Sequence, residues 1–177
     1  ISLWFVIKMN ITSLEIPDIK LISPSVFSDD RGYFMETFNQ RLFNENIKVT
    51  NFLQDNESSS SFGVLRGLHF QEPPYAQAKL MRVIIGEVFD VMVDLRSDSQ
   101  TYGKHVGINL DGESKKILYV PKGFAHGFLV LSKYAVFTYK VDNFFNNKSE
   151  NTLHWKDVTL NIKWPLNENE IILSDKD

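Results

Sequence analysis

Four histidines are the side chains best suited to move a proton near neutral pH, and two of them stand in stretches that read as strand ends. His69 lies in the Leu-rich stretch from Val64 to Gln71, and His126 in Pro121-Lys-Gly-Phe-Ala-His-Gly-Phe128. A histidine facing the interior of a β-barrel is a candidate base. A lone histidine is more often a hydrogen-bonded structural residue, and His105 and His154, in polar stretches with nothing convergent, keep that ordinary reading. Asp90 falls inside an apolar run, where a carboxylate needs a partner. The chain has no cysteine, which removes thiolate nucleophiles, Cys-ligated metals and disulfides together and fits a reducing cytoplasm.

The elements that must carry these groups read as strands. Runs rich in Val, Ile, Phe and Tyr are punctuated by Gly, Pro, Asn and Asp, the pattern of an all-β sandwich or barrel with helices as a minor element. The clearest strand pair is Leu80 to Ile85 and Glu87 to Leu95 around Gly86. In its second strand Val88, Asp90, Met92 and Asp94 share one face, and Phe89, Val91, Val93 and Leu95 the other. Further strands are predicted at Ile117 to Val120, Gly127 to Leu131 and Ala135 to Val141, and the serines at 58 to 61 read as a turn or polar loop. The best helix is Gln40 to Asn46, capped by Asn39 and stapled by Phe38 onto Phe43.

At 177 residues and 43% hydrophobic, the chain is long enough for one good core and too short for two ordinary domains, so a single domain spanning 1–177 is expected. The net charge is -3 and the 19 Lys and Arg are scattered, which argues against nucleic acid as a partner. The apolar run over residues 1–7 is far shorter than a membrane span, and no membrane partner is expected. It reads either as an extension upstream of a natural start at Met9 or as an edge strand.

The Pro-x-Gly-x-x-His spacing of Pro121 to His126 resembles the second signature element of the cupin barrels, many of which bind a metal through it. A metal cupin needs a first element of His-x-His followed by a carboxylate, because three or four convergent ligands hold the ion. Here His69 is flanked by Leu68 and Phe70, so no metal and no other cofactor is expected.

Taken with its neighbours, the sequence resembles the dTDP-4-dehydrorhamnose 3,5-epimerase family from about Pro24 to Asp177. The resemblance rests on the order and spacing of Asp30-Arg-Gly-Tyr-Phe-Met-Glu36, Gln54-Asp-Asn56, Val64 to Gln71, Lys79, Gly86 to Arg96, Pro121 to Phe128, Phe137-Thr-Tyr-Lys140, Ile162-Lys-Trp-Pro165 and Ser174-Asp-Lys-Asp177. It implies a mainly β fold, a double-stranded β-helix of the cupin or jelly-roll type with a few short helices, and a homodimer formed through N-terminal strands. It also implies inversion at C3 and C5 of dTDP-4-dehydro-6-deoxy-D-glucose, in dTDP-L-rhamnose biosynthesis.

A C–H bond beside a ketone is acidic because the carbanion spreads onto the carbonyl oxygen, so such a site needs a base, an acid on the opposite face and a cation near the oxygen. By resemblance His69 is the base, Asp177 the carboxylate that orients it, Tyr139 the acid and Lys79 the cation, with His126 in the same pocket and Asp90 supporting from behind. Arg31 and Arg66 match positions that hold the diphosphate, and Glu36, Gln54, Asp55, Asn56, Glu150 and Lys176 match further substrate contacts, some reaching the neighbouring subunit's ligand. Phe145, where many relatives have tyrosine, keeps a face to stack on thymine.

Two positions depart from a simple pattern. Alternation along Leu65 to Phe70 puts Arg66 and His69 on opposite faces, unless Gly67 marks a bulge that re-aims them. Family members usually continue beyond the Lys-Asp pair, and a carboxylate on the last residue is prone to fray. Three rival readings remain: a C3-only or C5-only epimerase of a related dTDP-4-keto sugar, a non-catalytic nucleotide-sugar-binding cupin, and a metal-dependent cupin isomerase or oxygenase. The joint presence of His69, Lys79 and Tyr139 counts against the second, and the missing His-x-His against the third.

Overall fold

The computed structural model describes residues 9–177. In chain order the elements are β1 (Met9–Ser13), β2 (Lys20–Pro24), β3 (Val26–Asp29), β4 (Gly32–Met35), α1 (Gln40–Asn46), β5 (Gln54–Ser61), β6 (Leu65–Gln71) and β7 (Lys79–Ile85). They continue with β8 (Glu87–Asp94), β9 (His105–Asp111), β10 (Ile117–Val120), β11 (Phe124–Val130), β12 (Tyr134–Val141) and β13 (Glu150–Thr152), and a 3-10 turn follows at Glu168–Glu170. The reading of residues 1–8 as an extension or edge strand lies outside the described residues.

Two antiparallel sheets carry the fold: a six-stranded one in the order β1-β2-β10-β7-β12-β5, and a five-stranded one in the order β13-β6-β11-β8-β9. They face one another without closing into a continuous barrel. Between them lies the main core, with Met81, Val83, Leu118, Val120 and Phe137 from one sheet against Val88, Met92, Val106, Leu110 and Phe128 from the other. Each such side chain removed from water contributes roughly 1.5–3 kcal/mol. The alternation expected along β8 holds, since Val88 and Met92 enter this core while Phe89, Val91 and Val93 pack on the outer face against Leu160, Ile162 and Trp164.

The outer face of the six-stranded sheet is partly covered by α1, whose Phe43 packs on Leu80, Ile117 and Tyr119. That helix forms where expected, for the expected reasons. Asn39 accepts from the Leu42 N–H at 3.1 Å, and the Phe38 and Phe43 rings lie 6.0 Å apart.

Two expectations need correction. β7 and β8 are both strands but not a pair: β7 bonds β10 and β12, and β8 bonds β9 and β11. Gly86 is where the chain passes from one sheet to the other, at φ 84° and so close to the Tyr134 carbonyl that a Cβ would lie 2.2 Å from it. The serines at 58–61 are not a loop but the second half of β5, paired residue for residue with β12 from Ser58–Phe137 to Ser61–Tyr134. No helix among the described residues is long and apolar enough to cross a membrane.

Candidate active site

A cleft of ≈ 460 Å³ opens between the sheets. β5 contributes Gln54, Asn56 and Ser58 to its wall, β6 contributes Arg66, His69, Phe70 and Gln71, and β7 contributes Lys79. His126 and Phe128 come from β11, and Phe137 and Tyr139 from β12. Gln77, Phe145, Glu150, Ser174, Lys176 and Asp177 complete the rim.

Arg66 and His69 both reach this cleft because β6 carries a bulge. Opposite β11, Phe128 pairs with Arg66 and His126 with His69, so three residue steps on β6 match two on its neighbour. Gly67 absorbs the extra residue at φ 122°, where an added Cβ would lie 2.5 Å from Gly127 Cα. Only glycine fits there.

The bulge also holds the end of the sequence. The Gly67 N–H donates to Asp177 Oδ1 at 3.0 Å, and Ser174 donates through its hydroxyl to Asp177 Oδ2 at 2.6 Å. A parallel bridge between Val64 and Ile172 brings the tail alongside β6. The expected fraying of Asp177 is therefore not found; its side chain is only 3% exposed.

Asp177 Oδ1 stands 2.7 Å from His69 Nε2, off the line of the ring N–H, so the contact is electrostatic rather than an aligned hydrogen bond. Burial pushes the His69 imidazole below its ordinary pKa, against the opposing pull of Asp177. Burial raises the Asp177 carboxyl, but Ser174, the Gly67 N–H and His69 outweigh it and hold the group low. A neutral imidazole beside an ionised carboxylate is a base ready to accept a proton.

Lys79 makes no ion pair or hydrogen bond among the described residues, and its burial lowers the ammonium to about 8 despite Asp90 and Glu150 nearby. Burial raises the Tyr139 phenol, which keeps it protonated, with Arg66 opposing the shift. His126 Nε2 meets the fully buried Asp90 Oδ1 at 2.9 Å, and the other Asp90 oxygen has no partner among the described residues. The Phe128 and Phe137 rings stack at 4.4 Å beside it. Lys176 pairs with Glu150 at 3.0 Å, and Gln54 donates to Asn56 at 2.9 Å.

Three of the expected site residues lie elsewhere. Asp55 is on β5, but strand alternation turns it to the outer face, where Lys140 donates to it at 2.8 Å. Arg31 sits at the tip of the β3–β4 hairpin, highly exposed and tied to Asp29. Glu36 accepts from Asn39 at the start of α1 and lines a small apolar crevice with Met9, Phe38 and Phe43. No group of three or more His, Cys, Asp or Glu that could hold a metal ion occurs among the described residues.

The structure also brings in residues not expected from the sequence. Ser58 follows from the same alternation as Gln54 and Asn56, once the serine patch is known to be a strand. Gln71 fixes the loop that presents Phe145, donating to the Tyr75 and Phe144 carbonyls at 2.7 and 3.2 Å and accepting from the Asn146 N–H at 2.6 Å. Nothing in local sequence signals that role, because the partners are remote.

Known proteins share the sequence pattern and the fold of this chain. The dTDP-4-dehydrorhamnose 3,5-epimerase family model matches residues 13–177. A dTDP-4-dehydrorhamnose 3,5-epimerase from Shigella flexneri is 52% identical over 170 residues, 96% of this chain and 93% of that protein. The crystal structure of a dTDP-4-dehydrorhamnose 3,5-epimerase from Elizabethkingia anophelis NUHP1 superposes with a TM-score of 0.91 at 49% identity, covering 95% of this chain and 92% of its own. A dTDP-6-deoxy-D-glucose-3,5-epimerase from Legionella pneumophila Philadelphia 1, solved with dTDP-4-keto-L-rhamnose, gives 0.92 at 46% identity, covering 96% and 90%. The two facing sheets are thus those of a cupin-type jelly roll.

Proposed function

The chain belongs to the dTDP-4-dehydrorhamnose 3,5-epimerase family, and from that premise we infer that it is an enzyme converting dTDP-4-dehydro-6-deoxy-D-glucose to dTDP-4-dehydro-L-rhamnose. The observation that carries the mechanism is the placement of His69 and Tyr139 on opposite sheets of one cleft, with Lys79 in the same wall as Tyr139. A sugar held between the sheets offers one ring face to each group.

In this reading the imidazole of His69 takes the proton from C3, the C–H electrons moving onto the C4 carbonyl oxygen. The Asp177 carboxylate beside Nε2 favours a proton on that nitrogen, so Nδ1 is read as the one that receives it. The ammonium of Lys79 stabilises the enolate oxygen, and the Tyr139 phenol returns a proton to the opposite face of the carbon. Solvent resets both groups and the same cycle inverts C5. Asp177 stabilises the imidazolium as it forms, and Asp90 holds the His126 ring against the substrate edge.

Arg66 and Lys176 offer cations to the diphosphate, Gln54, Asn56 and Glu150 polar contacts, and Phe145 a stacking face for thymine. Arg31 and Glu36 are read as acting in the cleft of a second copy of the chain in a homodimer. The β3–β4 hairpin belongs to neither large sheet and exposes Tyr33 and Phe34 at 56% and 66%, which supports that role. The product would feed a reductase completing dTDP-L-rhamnose in the cytoplasm.

The test is proton NMR of the substrate in heavy water. Deuterium is expected at both C3 and C5 with the wild-type protein, at neither with His69→Ala, and with impaired inversion in Tyr139→Phe. Label at one carbon alone would make the protein a mono-epimerase, and full exchange in His69→Ala would overturn the base.

A further inference from the structure

The inner face of β5 forms a row of hydrogen-bonding side chains along the cleft, and one of them has no partner among the described residues. Ser58 Oγ is buried and unpaired among the described residues, a state that costs stability unless a ligand supplies a partner. Two residues further along the same face, about 7 Å away by strand geometry, Ser60 Oγ accepts from Arg66 Nε at 2.9 Å. That bond ties off one side of the guanidinium and leaves both terminal nitrogens for a bidentate acceptor.

No carboxylate among the described residues pairs with this guanidinium. Arg66 makes no ion pair among the described residues, while Glu150 is taken by Lys176 and Asp177 by Ser174 and Gly67. A hydroxyl from β5 and a guanidinium that reaches over from β6 to the β5 serine row thus both border the cleft. Phosphate oxygens accept hydrogen bonds and, once ionised, have no proton to donate, so they match such a set.

We propose that Ser58 is a further substrate-contacting residue, donating to a phosphate oxygen of the sugar nucleotide, and that Ser60 is the positioning residue that aims Arg66 at the same group. The proposal rests on the reading that Arg66 receives the diphosphate.

Calorimetric titration with dTDP and with thymidine, which lacks phosphate, separates the two ideas. Ser58→Ala is expected to weaken dTDP about tenfold, the effect of losing a hydrogen bond to a charged group, with thymidine affinity unchanged. Its melting temperature is expected not to fall, because the lost hydroxyl had no partner. Ser60→Ala is expected to weaken dTDP about fivefold, and to have no further effect in an Arg66→Ala background; a merely structural serine would weaken thymidine equally and act in either background. If Arg66→Ala weakens dTDP while Ser58→Ala binds it within twofold of wild type, the Ser58 assignment is wrong and the Arg66 reading stands. If Arg66→Ala leaves dTDP binding unchanged, the premise fails and the proposal with it.

Discussion

Asp177→Asn probes the electrostatic contribution of the residue paired with His69, the proposed base. Asparagine keeps one oxygen to accept from the Gly67 N–H, and its amide NH2 donates to the Ser174 hydroxyl in place of accepting from it, so the turn that holds the tail is largely kept and the negative charge is the main loss. The delocalised charges of an imidazolium and a carboxylate in this contact are centred about 4 Å apart, worth about 4 kcal/mol at an effective dielectric of 20. The asparagine dipole recovers part of that. A loss of roughly 3 kcal/mol lowers the deuterium-exchange rate by about two orders of magnitude. The loss should fall on kcat rather than KM, because the imidazolium exists only after proton transfer.

A second readout carries a sign. Asp177 pulls the His69 pKa up against burial, so removing its charge lets that pKa fall further. The base then stays neutral to lower pH, and the acidic limb of the kcat/KM profile moves toward acid. Exchange monitored by NMR across pH measures both effects. A rate within fivefold of wild type, or an acidic limb that moves toward alkali, would refute the assignment of Asp177 as the partner of the base.

Three more outcomes are expected. Because the Lys79 ammonium is held at about 8, activity should fall as pH rises past that value, and Lys79→Met should lower kcat/KM at neutral pH by about 10²–10³ and abolish the limb; a limb unchanged in that variant would assign it to another group. Phe145→Ala should weaken dTDP by roughly 1–3 kcal/mol in a calorimetric titration, the worth of stacking a base on an aromatic face, whereas a change under twofold would place the thymine elsewhere. Asp94, fully buried, accepts from Arg96, Ser99 and Thr101 at 2.6–2.9 Å; burial pushes its carboxyl up, but these bonds outweigh it and hold it well below the usual range. Asp94→Asn should therefore cost roughly 3 kcal/mol and lower Tm by about 6–12 °C. The sign follows from the lowered pKa: the wild-type advantage is complete above the unfolded value of about 3.9 and shrinks as pH falls toward the folded one, so an advantage that grew in acid would contradict the assignment.

The residues that set local geometry were legible in the sequence. Asn39 and Phe38 specify α1 through contacts within a few residues, and the period of two along β8 states which side chains share a face, because both signals are short-range. His69, Lys79, His126 and Tyr139 were singled out by the resemblance of their motifs to the family, and the cleft gathers all four. Which strands bond was not legible. β7 and β8 sit in different sheets although one residue separates them, and the serines of β5 form a strand because β12 offers its backbone to them. Ladder hydrogen bonds join backbone groups common to every residue, so the partner is chosen by the packing of the whole core and not by the segment's own composition.

The same division runs through the site. The sequence by itself supplied the side chains that its family resemblance reads as base, acid and cation, His69, Tyr139 and Lys79, and the buried carboxylate of Asp90, together with Gly67 as the residue able to bulge β6 between Arg66 and His69. Only the tertiary structure decided that Asp55 faces away, that Arg31 and Glu36 lie outside the cleft, and that Asp177 is held fast. Those outcomes depend on contacts between segments as far apart in the chain as Gly67 and Asp177, and a contact of that kind is fixed by where the strands carry its partners.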